Sequence, residues 1–113
     1  KIFKRGFLRN YYQYKLESIF EMLNKLEFGE LQLMVVNREG TLNGLDTDII
    51  KIACRFIDKP IILCGGANSI ENIGMGFNNG AFAIGVGRMF TFHGPFKAVL
   101  IDYPKRKLIN KIL

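Results

Sequence analysis

Apolar residues recur along the chain in two kinds of pattern, and each pattern predicts one kind of element. Between Leu16 and Leu26 they fall at the one-sided spacing of an amphipathic helix, which Gly29 would end. Three short runs are almost continuously apolar, as expected of strands that are buried on both faces of a sheet. These runs are "LQLMVV" (31–36), "IILC" (61–64) and "FAIGV" (82–86).

The segments between these runs predict two further helices with recognisable ends. The first would begin at Asp46 or Thr47, whose side chains can cap a helix, and would stop before Pro60. The second would be capped by Ser69, weakened by two internal glycines and ended by the Asn-Gly pair at 79–80. The stretch "REGTLNGLDT" (38–47) predicts a loop.

Strands that alternate with helices predict an α/β fold with a parallel sheet. A complete (β/α)8 barrel of the TIM type needs eight strands in about 250 residues, whereas this chain has 113 residues and three apolar runs of that kind. No linker or low-complexity stretch divides the sequence. We therefore expect residues 1–113 to form a single partial barrel domain, completed by a missing N-terminal half-barrel or by a homo-oligomer.

The net charge of +6 is concentrated at the two ends of the chain. Basic arms around a neutral body would suit a nucleic-acid binder, but no helix carries a basic stripe and no RNA-binding strand motif occurs, so we do not expect nucleic acid as a partner. No run is long enough to span a membrane. Two thiols, Cys54 and Cys64, and one histidine predict a reduced, cytoplasmic protein with no metal site and no cofactor.

Small residues follow the second and third apolar runs, where the predicted strands end. Gly65 and Gly66 follow one run and Gly87 follows the other. Ligands of parallel β/α proteins collect at the carboxyl ends of the strands, and a helix that starts near Ser69 would add its positive end. The backbone N–H groups of these glycines could hold one phosphate, with Arg88 as a charged partner. The alternatives are that the glycines only shape tight turns and that Arg88 points outside the barrel.

Three stretches resemble the cyclase subunit of imidazole glycerol phosphate synthase. They are "GELQLMVVNREGTLNGLD" (29–46), "IILCGGANSIEN" (61–72) and "GAFAIGVG" (80–87). The corresponding family patterns are a strand followed by D-R-D-G-T, a strand followed by G-G-A-G, and an alanine-rich strand that ends beside a small residue. The resemblance implies the C-terminal half of a (β/α)8 barrel, about strands six to eight with their flanking helices.

The same resemblance implies a lyase function. In this family a glutaminase subunit supplies ammonia, and the barrel closes the imidazole ring of a phosphorylated small-molecule substrate in histidine biosynthesis. Asn37 and Glu39 would then be the candidate catalytic positions at the mouth of the barrel. The candidate phosphate-binding residues are Gly40, Thr41, Gly65, Gly66, Gly87 and Arg88.

Departures from the family pattern leave the activity of this chain open. Asn37 and Glu39 stand where the family has aspartates, and an amide cannot accept a proton as a carboxylate does. The two catalytic aspartates of the family lie on strands one and five, outside this segment. We therefore expect the 113 residues alone to be inactive. The alternative is a non-catalytic half-barrel that serves as an interaction module for a glutaminase partner.

The tail "FHGPFKAVLIDYP" (92–104) is similar to the ending of one branch of that family. The branch is associated with amidation of bacterial surface sugars, so the tail favours sugar amidation over histidine biosynthesis without deciding between them. His93 would be either a marker of this branch or a structural or surface histidine.

Overall fold

A computed structural model of the protein describes residues 2–5, 11–93, 98–99 and 104–112. In chain order the elements are β1 (Ile2–Arg5), β2 (Tyr11–Tyr14), α1 (Leu16–Asn24), β3 (Leu31–Met34), α2 (Thr47–Phe56), β4 (Ile61–Cys64), α3 (Ile70–Asn78), β5 (Ala83–Gly85), α4 (Arg88–Thr91), β6 (Phe92–His93), β7 (Ala98–Val99) and α5 (Arg106–Ile109). The predicted alternation of strands and helices is confirmed from β3 to β5.

The central sheet contains β3, β4 and β5 in that order, and all three strands are parallel. Leu33 pairs with Leu63, and Leu63 pairs with Ile84 on the next strand. Because side chains alternate across a strand, these three residues share one face of the sheet. Leu33 and Leu63 belong to the buried core, so this face is the one that the helices cover.

Helices α1 and α2 contribute the largest side chains to that core. Phe20 and Ile50 are fully buried, and the Phe20 ring stacks against Phe56 with centroids 6.4 Å apart. Helix α3 approaches β5 closely, because a Cβ atom on Gly76 would lie only 2.6 Å from Cδ1 of Ile84. Gly76 thus lowers helix propensity but permits the helix to pack onto the strand.

The predicted ends of α2 and α3 are confirmed by their hydrogen bonds. Oδ1 of Asp46 accepts from the Ile49 N–H at 3.2 Å, and Oγ of Ser69 accepts from the Asn72 N–H at 3.0 Å. Each side chain satisfies one backbone donor that the first turn of a helix leaves unpaired. Helix α3 ends at Asn78 with Asn79 as its C-cap residue, and Gly80 follows with a φ of +112°.

The prediction that residues 31–36 form a strand buried on both faces is wrong. The strand ends at Met34, whose side chain is 52% exposed, and Val36 is 79% exposed. In the described part of the chain β3 has a single strand neighbour, β4, so its outer edge and its second face are not enclosed as they would be in a closed barrel.

Two antiparallel pairs flank the central sheet. β1 pairs with β2 near the start of the chain, where the sequence had indicated only a basic, aromatic segment. β6 pairs with β7 in the tail. Among the described residues no helix is both long and apolar enough to cross a membrane.

Candidate functional site

The carboxyl ends of β3, β4 and β5 lie level at one edge of the central sheet. Met34, Cys64 and Gly85 are the last residues of the three strands, and they are register partners. Three segments leave this edge: the β3–α2 loop (residues 35–46), the glycine turn (residues 65–68) and the end of β5 (residues 86–88). Strands β4 and β5 are adjacent, so the segments that follow them are brought together.

The first half of the β3–α2 loop is a locally bonded turn. The N–H groups of Arg38 and Glu39 both donate to the Val35 carbonyl at 3.0 Å. The Thr41 hydroxyl donates to the Arg38 carbonyl at 2.6 Å and accepts from the Asn43 N–H at 3.2 Å. The side chains of the candidate positions 37 and 39 are exposed. Thr41 therefore shapes the loop, whereas Asn37 and Glu39 remain accessible.

The second half of the loop has an unusual backbone. Gly40, Leu42 and Gly44 have φ values of +71°, +58° and +97°. A leucine in the left-handed region costs about 1–2 kcal/mol, so surrounding contacts must hold it there. One such contact joins Nη1 of Arg38 to the Gly44 carbonyl at 3.1 Å.

The glycine turn packs directly against this loop. Gly65 and Gly66 have φ values of +111° and +86°. A Cβ atom on Gly65 would lie 2.7 Å from the Val35 carbonyl oxygen, and one on Gly66 would lie 2.5 Å from the Gly44 carbonyl oxygen. Side chains are therefore excluded from both positions by the chain's own backbone. This packing accounts for the two glycines without a ligand, as the turn-shaping alternative requires.

The loop is also hydrogen-bonded to the unit that follows β4. The Gly44 N–H donates to the Gly66 carbonyl at 2.7 Å. The Leu45 N–H donates to Oδ1 of Asn72 in the first turn of α3 at 3.0 Å. These two bonds fix the end of the β3–α2 loop beside the glycine turn.

Arg88 holds the loop from the other side. Its Nη1 donates to the Gly40 carbonyl, a contact that spans 48 positions in the sequence. Arg88 therefore reaches back across the end of β4, towards the edge where the strands end, instead of pointing outward. Gly87 differs from Gly65 and Gly66 because it is exposed and a Cβ atom there would meet nothing within 4 Å.

The structure thus brings all eight sequence-predicted site residues to one edge of the sheet. Three further residues that hold the loop were missed by the sequence analysis: Arg38, Gly44 and Asn72. Asn72 carried a weak signal, because it lies three residues after the Ser69 cap, where a side chain can reach the preceding loop. The partner of Asn72 on that loop, Leu45, had no signal in the sequence.

Neither cysteine is one of the predicted site residues: Cys54 lies apart from this cluster, and Cys64 is buried beneath it. Cys54 is an exposed residue whose Sγ donates to the Gly80 carbonyl at 3.6 Å, and partial burial raises the pKa of its thiol. Cys64 is buried below the glycine turn and accepts from Nε2 of Gln32 at 3.5 Å. Within the described residues, no group of three or more His, Cys, Asp and Glu side chains is arranged to hold a metal ion.

Comparison with known protein families connects this strand-end cluster to a class of enzymes. The family model described as "Histidine biosynthesis protein" matches residues 1–97, which include every strand-end segment described above. The chain belongs to this family. The match extends over most of the sequence, so it covers the β3–α2 loop, the glycine turn and the end of β5 together.

Individual members of the histidine biosynthesis family support the resemblance to the cyclase subunit. A protein of Pseudomonas aeruginosa, provisionally named imidazole glycerol phosphate synthase subunit hisF2, is 33% identical over 93 residues. A similarly provisional subunit HisF of Leptospira borgpetersenii is 34% identical over 90 residues. The imidazole glycerol phosphate synthase subunit HisF of Prosthecochloris aestuarii is 34% identical over 68 residues.

The chain covers only part of these relatives. The three alignments include 81%, 79% and 60% of this chain but 36%, 35% and 27% of the respective relatives. The chain therefore spans about a third or less of the length of these curated relatives. Family membership is established over this segment, and the resemblance to the cyclase subunit is confirmed.

Proposed function

We propose that this chain is the C-terminal half of a (β/α)8 barrel of the imidazole glycerol phosphate synthase cyclase type. It would supply the phosphate-binding turns and one side of the reaction mouth. The observation that carries this proposal is the level ending of β3, β4 and β5, which gathers the β3–α2 loop, the glycine turn and Arg88 at one edge. In parallel β/α proteins that edge is where substrates bind.

A phosphate group would lie between the glycine turn and the end of β5. Helix α3 begins directly after the glycine turn, so the positive end of its dipole faces the same region. The Arg88 guanidinium lies at this edge, and its planar array of five donors can bond the Gly40 carbonyl and an anion together. Exposed Gly87 leaves open space next to it.

Gly87 offers the sharpest test of the phosphate site. Replacement of Gly65 or Gly66 would disturb the turn itself, whereas Gly87→Leu places a side chain in open space without backbone strain. Gly29→Leu is the matched control, since Gly29 is equally open but lies before β3, at the opposite edge of the sheet.

Inorganic phosphate is titrated into the original chain and both variants by calorimetry. We expect Gly87→Leu to weaken binding at least about tenfold, because a leucine side chain would occupy the space of the phosphate oxygens. Gly29→Leu should bind as the original chain does. Equal affinity in all three proteins would place no phosphate beside Gly87 and would remove the main support for the proposal.

For the completed barrel we propose a reaction that uses ammonia from a glutaminase subunit, either imidazole ring closure or the related amidation of surface sugars. The relatives' names support the synthase family. Ring closure needs groups that give and take protons. In this segment Glu39 is the exposed carboxylate of the β3–α2 loop, and Asn37 can only donate or accept hydrogen bonds. One carboxylate cannot act as acid and base at once. The 113 residues should therefore show no turnover with ammonia alone, and a second barrel half should be required.

We also propose that the substrate belongs to surface-sugar amidation. The support is the tail sequence at 92–104, most of which lies outside the described residues, and the presence of Asn37 and the exposed Met34 where the family has polar or acidic residues. The gene that contains this segment should then fail to restore growth without histidine to a bacterium that lacks its own cyclase subunit. Growth in that assay would assign the protein to histidine biosynthesis.

A non-catalytic role is the second candidate, and the exposed edge of β3 favours it. Met34 at the end of β3 and Val36 at the start of the β3–α2 loop are exposed apolar side chains. An apolar surface of this kind is expected where a glutaminase subunit would bind. The two functions differ in one measurement: replacement of Glu39 by Gln should abolish turnover of the completed enzyme but should leave an interaction module unaffected.

A further inference from the structure

The β3–α2 loop carries Asn37 and Glu39. Its attachment to β3 and α2 does not by itself fix the tip of the loop, the Gly40–Leu42 segment. Its start is continuous with β3, and its end is bonded to the glycine turn and to Asn72. Between these points the chain passes through Gly40 and Leu42, both with positive φ. Local bonds from the Glu39 N–H to Val35 and from the Thr41 hydroxyl to Arg38 shape this turn. The contacts that hold the Gly40–Leu42 segment add to them in fixing Glu39 relative to the glycine turn.

Arg88, the first residue of α4, makes that contact from the segment that follows β5, a strand that is not adjacent to β3. In the sheet order β4 lies between β3 and β5, so the Arg88 side chain crosses the end of β4 to reach the Gly40 carbonyl. Gly40 directly follows Glu39 in the chain. A fixed Gly40 peptide consequently limits the positions that the Glu39 backbone can adopt.

We infer that Arg88 is a positioning residue that fixes the tip of the β3–α2 loop over the glycine turn, and that Asn72 fixes the base of the same loop. The inference rests on the proposed function only where it assigns a catalytic use to the loop. The contacts of Arg88 and Asn72 with the loop do not depend on any ligand. Together the two side chains pre-set the distance between the exposed carboxylate of Glu39 and the strand ends. Preorganisation of this kind spares the protein the cost of ordering the loop when substrate binds.

The contacts of Arg88 and Asn72 with the loop predict that each substitution speeds amide hydrogen exchange in a different part of the loop. Arg88→Met removes the donor to Gly40, so the Glu39 and Thr41 amides should exchange about tenfold faster, as expected for the loss of a hydrogen bond from a charged group. The Leu45 amide, which is bonded to Asn72, should keep its rate. Asn72→Ala should do the reverse: faster exchange at Leu45 and little change at Thr41.

Two further variants separate positioning from general destabilisation. Arg88→Lys keeps one charged donor but not the planar guanidinium, so exchange at Thr41 should fall between the rates of the original chain and Arg88→Met. Arg55→Met removes an exposed arginine from α2 and should leave both amides unchanged. Amides inside α2 and β4 report in every variant whether the fold has changed.

The exchange is measured on the 113-residue chain without phosphate, resolved to single residues. Faster exchange confined to the tip in Arg88→Met, with partial recovery in Arg88→Lys, supports the inference. Unchanged exchange at Glu39 and Thr41, or acceleration spread equally through α2 and β4, overturns it. Failure of the phosphate titration would refute the phosphate site but would leave this result standing, so the two proposals can fail separately.

Discussion

The close contact between Gly66 and the Gly44 carbonyl gives a quantitative prediction for Gly66→Ala. The new Cβ atom would start 2.5 Å from the Gly44 oxygen and 3.1 Å from Cβ of Arg38, at a φ of +86°. Backbone strain at positive φ costs about 1–2 kcal/mol. The Gly44 oxygen and Cβ of Arg38 both belong to the β3–α2 loop, so the clash is relieved only if the loop moves away. That movement breaks the hydrogen bond from the Gly44 N–H to the Gly66 carbonyl, which costs about 1 kcal/mol.

The total expected for Gly66→Ala is a loss of about 2–3 kcal/mol in the free energy of unfolding, from backbone strain and the broken bond together. Two other glycines serve as controls. Gly40→Ala places a Cβ atom in open space at a φ of +71°, so only the strain of about 1–2 kcal/mol remains. Gly87→Ala meets neither a clash nor a positive φ and should change stability by less than about 0.5 kcal/mol.

Urea unfolding followed by far-ultraviolet circular dichroism measures the three variants against the original chain. With a slope of about 1.5 kcal/mol per molar urea, a loss of about 2–3 kcal/mol lowers the midpoint by about 1.3–2 M. The midpoint should therefore be highest for Gly87→Ala, lower for Gly40→Ala and lowest for Gly66→Ala. If Gly66→Ala unfolds at the same urea concentration as Gly40→Ala, the turn does not pack against Gly44, and our account of the glycine pair is refuted.

Three further effects also follow from the described structure. Ser69→Ala should lower the free energy of unfolding by about 1 kcal/mol, whereas Ser69→Asp should retain the cap on α3; equal losses in both variants would argue against the cap. Leu63→Ala should cost about 2–5 kcal/mol because Leu63 is fully buried, and a loss below 1 kcal/mol in urea unfolding would contradict that burial. Partial burial raises the pKa of the Cys54 thiol, so the folded chain holds less thiolate below pH 9. Iodoacetamide should therefore alkylate Cys54 more slowly in the folded than in the urea-unfolded chain, and equal rates would refute this.

The features that could be predicted from the sequence are those that depend on neighbours in the chain. Asp46 and Ser69 cap helices through bonds to residues three positions later, and the Asn79-Gly80 pair ends a helix through its own backbone geometry. The order β3, β4, β5 follows from the short connections between parallel strands. Local chemistry and simple connection rules were sufficient for these elements.

The features that could not be predicted depend on contacts between distant residues. The apolar run at 31–36 predicted burial on both faces, but burial of Met34 requires a second layer that the described chain does not contain. The bond from Arg88 to Gly40 joins residues 48 positions apart, and its existence depends on which strands are neighbours. The glycines at 65 and 66 were expected either to hold phosphate through their N–H groups or to shape tight turns, and the groups that approach them closely are carbonyls of the chain itself.

The contacts that shape the strand-end cluster all join segments between β3 and α4. Gly44 bonds Gly66, Leu45 bonds Asn72 and Arg88 bonds Gly40, so each bond lies within this three-strand segment. We therefore expect the three-strand segment to hold the geometry of the candidate phosphate site through these described contacts. The proposed ring closure, in contrast, would require a second proton-transferring group besides Glu39. Because binding geometry and proton transfer depend on different parts of a barrel, we expect phosphate affinity to persist in this segment when turnover does not.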